Sequence, residues 1–125
     1  MTENEISYII RGAVYTTYKE LGPGLLESSY ESVLKHLISK NGLIVNSQVP
    51  LPLVYEDVKL DVGYRIDLLV ENKVIVEIKS VEQLTDVHSK QLLTYLKLSD
   101  KKLGLLINFN TANILHSIQR IVNGL

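Results

Sequence analysis

The chain has no cysteine. That excludes a disulfide scaffold, thiolate metal sites and a cysteine nucleophile, and it fits a reducing cytoplasm. No apolar run approaches membrane-spanning length. The opening residues, Met-Thr-Glu-Asn-Glu, are acidic and polar, unlike a signal peptide. The formal net charge is −1, so the bulk basic character of a non-specific nucleic-acid binder is missing too. There is no internal repeat, linker or low-complexity segment. Neither a Ser-His-Asp arrangement, a phosphate-cradling glycine-rich loop nor a zinc helix can be found; Gly22-Pro23-Gly24 breaks a helix and matches no nucleotide fingerprint.

What is present is an ordinary globular composition, 46% hydrophobic and 22% charged over 125 residues. That is one domain, residues 1–125, with enough chain for a proper core. Its centre is the stretch from Tyr64 to Lys79, two β-branched apolar runs around the polar break Glu71-Asn72-Lys73. This spacing predicts a hairpin. Charge interrupts both runs, Asp67 in the first and Glu77 and Lys79 in the second. Alternation puts Glu77 and Lys79 on the face of Ile75, with Val74, Val76 and Ile78 on the other. A three-residue loop places Val70 opposite Val74 and Asp67 opposite Glu77, on one face; a two-residue loop would throw Asp67 to the other side. The odd loop is favoured, with Asn72 or Lys73 left-handed. Two opposed carboxylates repel, and a divalent cation is the simplest way to offset that. Arg65 shares the face of Asp67, as a structural ion-pair partner or a phosphate contact, the former favoured.

Around the hairpin, apolar spacing from Ile6 to Leu21 predicts a helix over about Glu3–Glu20, stopped by Gly22-Pro23-Gly24. A second helix is expected from about Leu25 to Lys40. Glu27 lies at the edge of its apolar face, where the helix dipole alone would favour an acid, and Tyr30 reads as packing. Leu43–Tyr55 is extended, and its two prolines argue for an edge or bulged strand. Val58-Lys59-Leu60 begins another strand. Thr85 is a plausible N-cap for a helix to about Ser99, with His88, Gln91 and Tyr95 along one side. Leu103–Phe109 reads as a buried strand and Ile114–Val122 as a final strand. Lys97, Lys101 and Lys102 form a basic group that is usually just solvated but is also a candidate phosphate contact.

Asp67 followed by Glu77-Ile78-Lys79 on a second strand resembles the D…(D/E)xK signature of the PD-(D/E)xK nuclease superfamily. Ile66 stands where that signature often has proline. Leu21-Gly22-Pro23-Gly24-Leu25-Leu26-Glu27-Ser28-Ser29-Tyr30 resembles the diagnostic stretch of its GxxExxY branch, and Gln91 to Tyr95 resembles the QxxxY element of RecB-like members. The resemblance implies an α/β, restriction-endonuclease-like core with a mixed central sheet flanked by helices. It implies a nuclease using Mg²⁺ or Mn²⁺ on nucleic acid, DNA in preference to RNA. Asp67, Glu77, the Ile78 carbonyl and Glu27 would hold the metal, hard oxygen donors suited to such ions. Lys79 would act on the attacking water or the developing charge; Gln91 would orient Lys79 or the substrate; Tyr30, Arg65 and Tyr95 would support them. So small a chain suggests a homodimer or a partner subunit. The alternative is a non-catalytic module that keeps the fold to bind nucleic acid or protein.

Overall fold

A computed structural model describes residues 1–125. The first helix, α1 (Glu3–Leu21), starts at a capping box. The Thr2 hydroxyl accepts from Glu5 N at 3.2 Å, and the Glu5 carboxylate accepts from Thr2 N at 3.0 Å. It ends at Gly22, whose φ of 66° lets its N–H reach back to the Tyr18 carbonyl. Helix α2 (Glu27–Lys40) begins two residues later than the spacing suggests. The reason is local. The Tyr30 hydroxyl donates to the Gly22 carbonyl and accepts from Leu25 N, which holds residues 22–26 out of the helix.

Strands β1 (Val45–Pro50), β4 (Arg65–Val70), β5 (Val74–Lys79), β6 (Leu103–Asn108) and β7 (Ile118–Val122) form one sheet in the order β1-β4-β5-β6-β7. Strands β5 and β6 are parallel and the other pairs antiparallel. Helix α3 (Asp86–Ser99) makes the crossover that a parallel pair requires. Helices α1 and α2 cover one face, burying Ile6, Ile10, Leu34 and Ile38 against Leu68, Val76, Ile78 and Leu105. Helix α3 covers the other, burying Leu92, Tyr95 and Leu96 against Ile66, Leu69, Ile75 and Leu106. Each such side chain stabilises the fold by about 1.5–3 kcal/mol. The result is the mixed-sheet α/β architecture expected of a restriction-endonuclease-like fold. A separate ribbon, β2 (Leu53–Tyr55) and β3 (Val58–Leu60), stands outside the sheet.

The central hairpin has the predicted odd register, with Val70 opposite Val74. Its loop is left-handed at Asn72 and also at Glu71, which was not foreseen. The last strand needs a correction. Ile114–His116 is a 3₁₀ turn and β7 starts only at Ile118. Side-chain bonds from Ser117 Oγ to Thr111 Oγ1 and to the Asn113 carbonyl curl the chain there, and Ile114 drops into the core. Alternation of apolar residues hid that turn.

Candidate active site

Strands β1 and β4 keep one register from Val45↔Val70 to Pro50↔Arg65, yet the Gln48–Asp67 step makes no pair. Gln48 is left-handed there, with φ of 51°, a conformation costing a non-glycine residue roughly 1–2 kcal/mol. Both strands change face across this step. Val45 and Leu68 pack toward α1 and α2, whereas Val49 and Ile66 pack toward α3. Asp67 therefore sits at a seam where the pleat is broken.

On its other side the β4–β5 ladder ends at Leu68↔Val76. The expected opposed pair of carboxylates is replaced by a reciprocal clamp. Glu77 Oε2 accepts from Asp67 N, and Asp67 Oδ2 accepts from Ile78 N, both at 2.8 Å. Each acid reaches across to the other strand's backbone. Each also spends only one oxygen strongly. Asp67 Oδ1 has a long 3.4 Å contact from Gln48 Nε2. Glu77 Oε1 accepts no hydrogen bond, and since no buried side-chain oxygen lacks a partner, that oxygen reaches the surface.

Glu77 is 4% exposed. Burial, and next the charge of Asp67, push its carboxyl up to about 8. Burial also raises Asp67, partly offset by the Ile78 N–H and the nearby Lys79 ammonium. Thus a proton on Glu77, together with backbone donors, offsets the repulsion in the metal-free protein. Lys79 influences both acids yet forms no ion pair within 4 Å. Its carbonyl accepts from Phe109 N at 2.9 Å, which fixes the end of β5.

Glu27 joins this corner from α2. Its carboxylate accepts from Ser80 N at 2.8 Å, one residue past Lys79, and its charge bears on Asp67. Tyr30 serves that placement. Its ring is fully buried and stacks on Phe109 at 4.1 Å, while its hydroxyl ties the Gly22–Leu25 loop leading to Glu27. Tyr95 is buried on α3 beside Tyr64; burial and then Glu77 raise its phenol.

Three residues at or beside the site escaped sequence reasoning. Glu31 and Gln48 line an open cleft of about 310 Å³ with Glu27, Ser28 and Asp67. Gln48 Nε2 donates to Glu31 Oε1 at 2.7 Å as well as to Asp67, and burial raises the Glu31 carboxyl. Glu31 lies one helical turn after Glu27, the only signal that could have found it. Asn108 was also missed. Its buried side chain bonds Val81 through both N–H and carbonyl, which shapes the loop after Lys79.

Other residues singled out from the sequence lie away from this corner or serve other contacts. Arg65 does not pair with Asp67; its ion pair is with Asp61 at 3.7 Å, on the exposed side. Gln91 is exposed and makes no side-chain hydrogen bond, though it stands one turn from Tyr95. His88 caps α3, accepting from Thr85 N at 3.0 Å. The lysine group near Lys101 lies by the Glu71–Lys73 turn, where Lys101 donates to Asn72, at the far end of the sheet from Asp67.

The donor set suits a hard divalent cation, with two anchored carboxylates each keeping an oxygen available. No three acidic or histidine side chains lie close enough together to hold a metal ion by themselves, so a divalent cation at this corner would draw its remaining ligands from water and substrate oxygens. No helix is long and apolar enough to cross a membrane. A family model for the PD-(D/E)XK nuclease superfamily matches residues 4–121. No curated protein and no solved structure matches the chain.

Proposed function

The chain belongs to the PD-(D/E)XK nuclease superfamily, and on that premise we propose that it hydrolyses nucleic-acid phosphodiester bonds, DNA in preference to RNA, with Mg²⁺ or Mn²⁺ at the Asp67–Glu77 corner. The observation that carries this reading is the clamp itself. It holds Asp67 and Glu77 at the break in the sheet, with Lys79 alongside and unpaired. The stretch Gly24–Glu27–Tyr30, in which Tyr30 and the following helix set Glu27 against Ser80, supports membership of the GxxExxY branch.

Asp67, Glu77 and the Ile78 carbonyl would hold the ion, with Glu27 reaching it directly or through a water, and Glu31 lines the same cleft one turn along α2. A hard cation there would supply charge to polarise the scissile phosphate and acidify a water. Lys79, free of any carboxylate partner, directs its ammonium charge at the same corner and stabilises negative charge developing on phosphate. Tyr95 walls the site on the α3 side, and Gln91, one turn away, is available to a substrate entering along that helix.

The alternative is a binding module that keeps the fold without catalysis. What favours it is that both acids already serve the backbone, bridging β4 and β5 as structural residues. Calorimetric titration with Mg²⁺ or Mn²⁺, paired with a cleavage assay on single- and double-stranded DNA and RNA, separates the two. Metal binding and cleavage that Asp67→Ala abolishes support the nuclease. Absence of metal binding at millimolar concentration supports the module.

A further inference from the structure

Asn108 is out of place in its strand. The run Leu103–Phe109 is otherwise apolar, and asparagine is depleted in strands. The residue is nevertheless buried, at 5% exposed. Burying a carboxamide is unfavourable unless its polar atoms find partners, and here both do. Oδ1 accepts from Val81 N at 3.1 Å and from Asn110 N at 3.2 Å, while Nδ2 donates to the Val81 carbonyl at 2.9 Å. Two N–H groups facing one atom and a carbonyl facing the other settle which way the amide points.

The place of that grip gives it a consequence. Asn108 partners Lys79 in the last rung of the parallel β5–β6 ladder. Beyond it the two strands part. Phe109 N still reaches the Lys79 carbonyl at 2.9 Å. The Asn108 side chain then takes Val81 by both its N–H and its carbonyl, as a neighbouring peptide would in a sheet. One carboxamide thus extends the ladder past its end. Ser80 lies between these two holds. Its N–H donates to Glu27 Oε2 at 2.8 Å, the only hydrogen bond that the Glu27 carboxylate makes. Glu27 is the first residue of α2, lines the cleft with Asp67 and bears on the Asp67 carboxyl through its charge.

We propose that Asn108 is a positioning residue for the cation corner. By fixing Val81 it holds the Ser80 N–H in place, and that N–H sets where the Glu27 carboxylate stands beside Asp67. Asn108 itself, spent on Val81 and Asn110, is no ligand; it acts through Glu27. The inference rests on the reading of that corner as a divalent-cation site.

The test is a double-mutant cycle on Mn²⁺ affinity, read by calorimetry on the whole chain, with Asn108→Ala, Glu27→Ala and both together. Removing a group that orients a metal-holding carboxylate weakens binding by roughly ten-fold or more. Asn108→Ala is expected to do so in the wild-type background and to add nothing once Glu27 is replaced. A purely structural Asn108 would lower the denaturation midpoint and leave the affinity alone. A second readout needs no metal. The Ser80 amide is expected to exchange its hydrogen faster in Asn108→Ala, beyond any change at Leu105 and Ile107. Should Asn108→Ala fail to fold, Asn108→Thr takes its place, uncharged and at home in a strand, yet too short to bond both Val81 groups. An affinity that no Asn108 variant changes overturns the proposal, as does a Ser80 amide as protected as in wild type. Mn²⁺ binding with losses that add across the cycle overturns this inference alone. A wild-type chain that binds no Mn²⁺ overturns the cation reading and this inference with it.

Discussion

Glu77 holds Asp67 by the backbone and not by the side chain. Its Oε2 accepts from Asp67 N at 2.8 Å, while the Asp67 carboxylate returns the bond one residue further on, to Ile78 N. Two acids that would repel as a cross-strand pair thus replace the rungs the ladder lacks.

This clamp makes the apo protein pH-sensitive. Glu77 binds its proton more tightly folded, at about 8, than at the ordinary 4.5. Between those values the folded state carries more protons than the unfolded state, so stability falls as pH rises. The contribution is complete below about pH 4.5 and lost as pH passes through 8. Melting temperature without metal should therefore drop from pH 5.5 to pH 8.5, as followed by circular dichroism. Glu77→Gln should flatten that slope, and a slope unchanged in the variant would locate the titration elsewhere.

Removing charge from the corner should stabilise the metal-free protein. Asp67→Asn keeps an acceptor for Ile78 N and relieves both burial of charge and repulsion of Glu77. A rise of several degrees in melting temperature at pH 8 is expected, with Mg²⁺-induced stabilisation lost. A fall in stability instead would mean that the charge of Asp67, through Lys79, holds the fold together.

Lys79 separates catalysis from metal binding. Its ammonium would repel a cation held at that corner, so Lys79→Met should keep or improve Mg²⁺ affinity. Hydrolysis should fall by roughly two or more orders of magnitude, the scale of losing one positioned electrostatic group. Lys79→Arg should not rescue it, because a planar guanidinium does not replace a compact ammonium. Equal cleavage by wild type and Lys79→Met would remove this corner from the reaction.

Gln48 bridges Glu31 and Asp67 with one amide nitrogen, and a cation entering there would compete with it. Gln48→Gly suits the left-handed backbone, so stability should change by less than about 1 kcal/mol. Its Mg²⁺ affinity should rise several-fold by calorimetry. An affinity lowered by the variant would make the amide a support for the carboxylates and not a competitor.

Tyr30→Phe keeps the stack on Phe109 but loses the bonds to Gly22 and Leu25. It should cost about 1–3 kcal/mol in denaturant unfolding, as a carbonyl and an N–H lose their partner. A variant as stable as wild type would show that the ring alone carries the contribution.

The sequence made the hairpin register readable because an odd loop and a period of two leave little choice for Val70 and Val74. The helices were readable from their apolar stripes and from the Gly22 and Thr85 boundaries. The Asp67–Glu77–Lys79 corner followed from the register, but its clamp did not, since nothing local signals that the ladder opens after Leu68. Glu31 and Gln48 belong to different elements and meet only through the packing of α2 beside β1. Ile114 to His116 alternate like a strand, and the bonds among Thr111, Asn113 and Ser117 that curl the chain leave no trace in that alternation.

The break at Gln48 and Asp67 separates two apolar clusters that the same strands serve on either side of it. A side chain at this step belongs to neither. Substitutions there can alter charge, reach and ligand preference without opening a void in either core. Gln48 is therefore free to change chemically while the fold stays intact, whereas Asp67, which accepts from Ile78 N across the strands, is not.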